Sequence, residues 1–259
     1  MENKTTEKCL MVTVSVVSHG QWSLVSRLLD DFQASCTGHA IELVLTLNIP
    51  ELVALDETTY NFPIRVIRNL RPKGFGANHN AAFVQSKGHY FCVMNPDIRF
   101  DSCPFEGLLA PFADPAVGIV APMVTGPVGQ IEDSARKFPT PSKILGKMAS
   151  GPPQPDYSLD GSSVAVDWCA GMLLLFPRQV YEDLKGFDER YFLYYEDVDI
   201  CARLRLSRRQ VIWCIDTRVV HHAQRASRRQ FKYGLWHLRS MARFFLSPVY
   251  RRLRSAGLV

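Results

Sequence analysis

Asn95-Pro96-Asp97 directly follows residues 90–94, a run whose aromatic and β-branched content predicts a strand. Asp97 then occupies a turn at the carboxyl end of a parallel strand, where open α/β sheets bind ligands. A carboxylate there suits a hard divalent cation clamping a diphosphate, because Mg²⁺ takes one or two protein carboxylates together with phosphate oxygens. Asn, Pro and Asp are also ordinary turn formers, so the tripeptide alone is satisfied by a plain turn.

A second constellation runs from Gly186-Phe187-Asp188-Glu189 through Phe192-Leu193-Tyr194-Tyr195-Glu196-Asp197-Val198-Asp199 and opens a predicted helix over 197–206. Asp197 shares a face with Ile200, Cys201 and Leu204 at i, i+3, i+4 and i+7, which puts a carboxylate on the inward stripe. An acid so placed must be paired, protonated or open to a pocket, and that suits a general base. Glu196 is accounted for by the helix dipole, and Asp199, four before Arg203, by a surface ion pair.

Two further sites complete the set. His221-His222 lies beyond a predicted strand at 211–215, where an imidazole could join a metal shell or bind diphosphate, although adjacent histidines in a loop are often mere solvated neighbours. Residues 69–80 carry Lys73, Gly74, Gly76, Asn78 and Asn80 and resemble a phosphate-cradling loop. They match neither G-x-G-x-x-G nor G-x-x-x-x-G-K-[ST], which weakens a dinucleotide or P-loop reading in favour of a glycine-rich strand-to-helix turn.

The elements that must hold these residues alternate in a βαβ pattern, with strands at 12–17, 41–47, 64–68, 90–94 and 118–121 and helices at 22–32 and 77–85. From 122 to 163 the pattern dissolves into Gly, Pro and Ser, including Gly151-Pro152-Pro153-Gln154-Pro155, and predicts a long loop. Strands at 164–176, a short helix at 178–184, the helix at 197–206 and the strand at 211–215 follow. The C-terminal segment is amphipathic: Phe231, Leu235, Leu238, Ala242 and Phe245 form one stripe, Arg229, Lys232, Trp236, Arg239 and Arg243 another, and Pro248 ends the helix.

At 259 residues with 47% hydrophobic and 21% charged content, the chain is long enough for one sizeable core plus an appendage. Seven cysteines without a C-x-x-C pair argue against a zinc ribbon, a thioredoxin-type motif or a disulfide framework, as expected of a reduced cytosolic protein. The N-terminus lacks the layout of a signal peptide, and its first apolar stretch is too short to span a membrane. The net charge of +5 conceals an asymmetry, since no Asp or Glu follows Asp216 while ten Arg or Lys do. A segregated basic tail points to an anionic surface: phospholipid, nucleic acid or a polyphosphate-linked substrate.

Taken in order, these pieces resemble glycosyltransferase family 2, enzymes of GT-A fold, and within it the branch containing rhamnosyltransferases of cell-surface polysaccharide assembly. The matching segments are Val14-Ser15-Val16-Val17-Ser18-His19, residues 69–80, Asn95-Pro96-Asp97, Gly186-Phe187-Asp188-Glu189, Tyr194-Tyr195-Glu196-Asp197-Val198-Asp199 and Val219-Val220-His221. The resemblance implies an α/β domain over 1–217, Rossmann-like with a mixed, mostly parallel sheet flanked by helices. Its nucleotide-sugar half would cover about 1–121 and its acceptor half about 164–217, with a basic amphipathic helical extension at 218–259. It further implies an inverting transfer from a dTDP- or UDP-linked sugar, rhamnose by overall likeness, to a glycan or lipid-linked oligosaccharide acceptor.

By the same resemblance Ser18 and Asn48 contact the nucleotide base, and Lys73, Gly74 and Asn78 belong to the donor loop. Asp97 is the last acid of a D-x-D-type motif with Asn95 in place of the first, and His221 is the late histidine, the two holding Mg²⁺ or Mn²⁺. Asp197, beside Glu196, is the base, and Trp168 and Gly171 border the acceptor. Many members have Asp where this chain has Leu47, and the glycine usual in the turn at 206–210 is missing. Two other functions compete with this one. A nucleotidyltransferase would share the core but gives Asp197 no task, and a nucleic-acid module would use residues 225–254 with Trp236 as a stacking platform. The apolar stripe favours packing on the domain or on the cytoplasmic face of the inner membrane over nucleic acid.

Overall fold

The computed structural model describes residues 11–53, 55–149, 155–222 and 231–259. Cys9, the Gly151-to-Gln154 run, Arg229 and the side chain of Phe231 therefore lie outside the described residues. In chain order the strands are β1 (Val12–Ser18), β2 (Ile41–Leu47), β3 (Ile64–Arg68), β4 (Tyr90–Met94), β5 (Ile98–Arg99), β6 (Val117–Thr125), β7 (Ala135–Arg136), β8 (Ser163–Val166), β9 (Trp168–Cys169), β10 (Leu173–Pro177) and β11 (Gln210–His221). The helices are α1 (Trp22–Ser35), α2 (Phe75–Gln85), α3 (Phe105–Leu109), α4 (Pro141–Ala149), α5 (Arg178–Asp183), α6 (Glu196–Leu206), α7 (Phe231–Leu246) and α8 (Pro248–Ser255).

The sheet runs β3-β2-β1-β4-β10-β6-β11-β5, with β8 added on β11, and β7 and β9 form a separate ribbon. Strands β3, β2, β1 and β4 are mutually parallel, as is the pair β6 and β11, whereas β10 runs antiparallel between β4 and β6. All seven residues of β2 are buried, as expected for a strand covered on both faces. On one face α1 lays down Val25, Leu28, Leu29 and Phe32 at i, i+3, i+4 and i+7. On the other, Phe91, Phe176, Tyr181, Phe187 and Leu204 form a second core that also receives Phe244, Tyr250 and Leu253 from the last two helices.

Several expectations need correction. The segment read as one loop contains the end of β6, the ribbon strand β7 and helix α4, none with enough periodicity to reveal itself. Strand β11 extends to His221, which is thus a strand-end residue and not a loop residue. Pro248 ends α7 but also begins α8, since proline fits the first turn of a helix and the Ser247 hydroxyl accepts from the Tyr250 N–H. The apolar stripe of α7 is divided: Leu235, Leu238 and Ala242 are exposed and Phe245 is half-buried against Tyr195 and Tyr250, while Ser240 and Phe244 are buried.

Helix α2 packs its polar residues inward. His79 is fully buried and shares a 2.8 Å hydrogen bond between its Nδ1 and Ser15 Oγ on β1, while its Nε2 has no partner. Burial pushes the imidazole down to about 3. The folded state thus refuses a proton that the unfolded chain accepts below about 6.5. Stability from this residue is fully present above that pH and should fall by up to about 1.4 kcal/mol for each unit below it. Urea midpoints measured from pH 7 to 5 on wild type and His79→Gln will check this, the variant being expected to show the flatter profile.

Candidate active site

Strand β4 delivers Asn95 and Asp97 to the carboxyl edge of the sheet, where the Asn95 N–H donates to Met172 O at 2.9 Å. What brings His221 to Asp97 is an irregularity in β11. Cys214 pairs with Pro122 and Arg218 with Met123, so residues 215–217 have no counterparts in β6 and the strand shifts register. Beyond the shift β11 pairs with β5, His221 opposite Ile98, and the His222 N–H donates to Asp97 O at 2.9 Å. His221 Nε2 lies 3.2 Å from Asp97 Oδ2 and its Nδ1 lies 2.8 Å from Glu132 Oε2. Desolvation opposes a charged imidazole here, but the hydrogen bonds and charges of Asp97 and Glu132 outweigh it and raise His221 to about 9. His222 is exposed.

Asp97 Oδ1 is buried without a partner. A cation displacing the imidazolium proton would satisfy that oxygen and bind Nε2, with Glu132 holding the opposite ring nitrogen as metal-bound histidines ordinarily require. Among the described residues no three His, Cys, Asp or Glu side chains converge as a ready metal cage. The two protein donors therefore fit Mg²⁺ or Mn²⁺ of the kind whose shell is completed by phosphate oxygens and water.

The loop at residues 69–80 is shaped by three amides. Asn69 Nδ2 donates to Asn48 Oδ1 at 3.0 Å and to Asn78 Oδ1 at 2.7 Å. Asn48 then accepts from the Lys73 N–H at 2.8 Å and donates to Lys73 O at 3.0 Å, while Asn78 Nδ2 reaches Gly74 O at 3.0 Å. Asn48 and Asn78 thus hold the backbone of residues 73–74, leaving the Lys73 side chain exposed. Ser18 is fully buried and its hydroxyl accepts from the Gln21 N–H, where α1 starts. Gly74 is needed for contact: a Cβ there would sit 2.8 Å from Phe192 O, and the Phe75 N–H donates to that same oxygen at 2.9 Å.

The loop so engaged carries the acids. Tyr194 and Tyr195 take left-handed backbone conformations, φ 70° and 68°, which is strained for non-glycine residues and turns the chain abruptly into α6. Asp197 emerges partly buried, accepting from the Gly171 N–H at 3.0 Å and the Val198 N–H at 2.8 Å. Desolvation raises its pKa, opposed by those two hydrogen bonds and by the charge of Arg136. Gly171 is wedged between Phe75 and Asp197, since a Cβ would lie 3.3 Å from Phe75 and 3.6 Å from Asp197 Cβ. Trp168 is 8% exposed, its indole N–H donates to Lys137 O, and the Arg136 guanidinium lies 5.5 Å from the ring centroid.

The neighbours of Asp197 differ from expectation. Glu196 is not an outward dipole partner: it is 5% exposed, one carboxylate oxygen has no partner, and burial followed by the charge of Asp197 lifts its pKa well above the usual range. Asp199 is not a surface acid either, being 1% exposed and bonded at 2.7 Å to Arg203, which also donates to Leu184 O and Gly186 O. Residues 186–189 dock on Asn80 of α2, which donates to Phe187 O and accepts from the Phe187 N–H.

Glu132 and Arg136 were invisible in the sequence because they lie in the aperiodic stretch, where nothing marks one acid or one arginine above another. The short segment joining them spans the site, from His221 at one end to the vicinity of Asp197 at the other, with Ser134 O accepting from the Ala170 N–H between. Beside it lies a cavity of about 420 Å³ bounded by Ile131, Asp133, Tyr157, Leu159 and Trp213, with the buried Ser134 hydroxyl unpartnered.

The family model described as Glycosyl transferase family 2 matches residues 16–216. The chain belongs to glycosyltransferase family 2. This family 2 enzyme is 26% identical to the rhamnosyltransferase WbbL of Escherichia coli, over 90% of this chain and 92% of that protein. It is 33% identical to the N-acetylglucosaminyl-diphospho-decaprenol L-rhamnosyltransferase of Mycobacterium tuberculosis over 53% of this chain, and that match spans about half, 48%, of the relative. Among solved structures it resembles GalNAc-T7 with UDP, GalNAc and Mn²⁺ (TM-score 0.62, 16% identity, 84% of this chain, 44% of that one). It likewise resembles the mannosyltransferase PcManGT from Pyrobaculum calidifontis with GDP-Man and Mn²⁺ (TM-score 0.60, 17% identity, 95% and 74%). The structural likeness establishes the GT-A architecture of this glycosyltransferase.

The amide network predicts a separable effect on the donor loop of the glycosyltransferase. Asn69→Ala removes the donor that both Asn48 and Asn78 share and should cost about 1–3 kcal/mol of stability. It should also raise the KM for the nucleotide sugar several-fold while kcat changes less, which steady-state kinetics will measure.

Proposed function

We propose that the enzyme transfers rhamnose from dTDP-rhamnose, with inversion, to a hydroxyl of a glycan or polyprenyl-diphosphate-linked acceptor in cell-surface polysaccharide synthesis. The acceptor would be presented at the cytoplasmic face of the inner membrane. The observation carrying the chemistry is Asp197: a desolvated carboxylate aimed by two backbone N–H groups, next to an acid whose pKa burial pushes well up. The sugar follows from the rhamnosyl relatives, WbbL matching along nine tenths of the chain.

In this reading Asp197 takes the proton of the acceptor hydroxyl as its oxygen attacks the anomeric carbon, and the bond from that carbon to the diphosphate breaks in the same displacement. One displacement inverts the anomeric centre. Asp97 and His221 would hold the divalent cation, which when bound neutralises charge on the leaving diphosphate. Residues 73–74 would lie along the donor phosphates, and Arg136 with Trp168 and Gly171 along the acceptor. The cavity by Ser134 offers aromatic walls and a free hydroxyl, a combination suited to a sugar ring.

Asp197→Asn should lower kcat by about 10²- to 10⁴-fold with little change in donor KM. Glu196→Gln, which keeps the size of a buried acid whose pKa burial pushes up, should retain activity within a few-fold. The reverse order would make Glu196 the base. With wild type and dTDP-rhamnose, metal-dependent release of nucleoside diphosphate is expected, and release of pyrophosphate would instead establish nucleotidyl transfer. Glu132→Gln should weaken Mn²⁺ binding, read by calorimetry in the presence of dTDP, by about 10- to 100-fold.

A further inference from the structure

Helix α7 presents an apolar ridge that the described residues leave largely uncovered. Leu235, Leu238, Ala242 and Leu246 succeed one another at steps of three, four and four residues on the side opposite Ser240 and Phe244. The three leucines are 56%, 58% and 81% exposed. At about 100° per residue, Lys232, Arg239 and Arg243 fall along one flank of this ridge. No helix among the described residues is long and apolar enough to cross a membrane, so the ridge belongs to a helix that can only lie along a surface.

Charge specifies the kind of surface. No carboxylate follows Asp216 in the chain, and among the described residues Lys232, Arg239 and Arg243 have no acidic partner. Helix α8 adds the exposed Arg251, Arg252 and Arg254. Arg252 also joins Arg205 and Arg208 around an open groove of about 520 Å³ whose lining contains no acid, and the Arg205 Nε there is buried without a partner. Apolar side chains flanked by unpaired cations are complementary to a bilayer with anionic headgroups: the acyl boundary takes the leucines and the phosphates take the arginines.

The same helix touches the catalytic loop. Trp236 packs on Phe192 with ring centroids 4.8 Å apart, the Ser240 hydroxyl donates to Leu193 O at 2.9 Å, and His237 lies 5.3 Å and 5.5 Å from the rings of Tyr194 and Tyr195. Phe192 is itself 40% exposed. We infer that α7 docks flat on an anionic phospholipid bilayer through Leu235, Leu238 and Leu246, and so sets the base loop at the membrane surface. The inference rests on the proposed function only in giving this docking a purpose, delivery of a lipid-linked hydroxyl to Asp197.

Co-sedimentation of the full-length chain with vesicles of phosphatidylcholine, with and without phosphatidylglycerol, tests it. Wild type should pellet with the anionic vesicles alone and be released by added salt. The triple variant Leu235→Ser/Leu238→Ser/Leu246→Ser should bind at least about tenfold more weakly. It should keep the wild-type melting temperature and its transfer to a water-soluble acceptor, and lose transfer to a vesicle-embedded one. Lys232→Gln/Arg239→Gln supplies the same test through charge should the triple variant not fold. Equal pelleting of wild type and variants, indifference to phosphatidylglycerol, or a wild-type dimer that the serines dissociate would each overturn the inference. Absence of sugar transfer by wild type would instead count against the proposed function, because sedimentation uses no donor.

Discussion

The Phe75 N–H donates to Phe192 O, at a place where Gly74 has no room for a side chain. That backbone contact joins two halves of the molecule far apart in sequence. On one side of it stands the loop held by Asn48, Asn69 and Asn78, and on the other the strained turn at Tyr194 and Tyr195 that sets the direction of α6. Asp197 owes its position to that direction, and α7 packs on the same turn from outside. The loop at residues 73–74, Asp197 and the C-terminal helix are therefore linked through one short stretch of backbone, and displacing it would disturb all three.

Near that contact, small differences in burial assign neighbouring acids to different tasks. Glu196 is buried with one oxygen unpartnered and its pKa pushed well up by burial, Asp197 has two backbone donors, and Asp199 is paired with Arg203, which in turn binds the loop before α6. Burial penalises a charged carboxylate, and backbone donors or a neighbouring cation oppose that penalty. His221 follows the same logic with opposite sign, its positive charge supported by Asp97 and Glu132.

Much of the architecture was legible in the sequence. The parallel strands declare themselves through apolar runs, and α1 through its spacing, because burial on a regular element imposes a period. Asp97, at the end of β4, and Asp197, on the apolar face of α6, could be singled out from local pattern combined with family likeness. Where no period exists the sequence was silent: β7, Glu132 and Arg136 lie in a stretch held by contacts with β9 and His221, and α4 follows in the same stretch. The sequence left open what α7 packs against for a related reason. Its apolar stripe is real, but a stripe identifies a face and not what covers it.

By itself, then, the sequence determined the strand and helix periods, the segregation of positive charge into the acid-free segment after Asp216, and the family to which the chain belongs. Only the tertiary structure showed how His221 reaches Asp97, that Glu196 is buried beside Asp197, and which face of α7 is left open. Those outcomes depend on a register shift in β11, on desolvation by residues distant in the chain, and on the packing of Phe244. All three are non-local, and a local pattern carries no record of them.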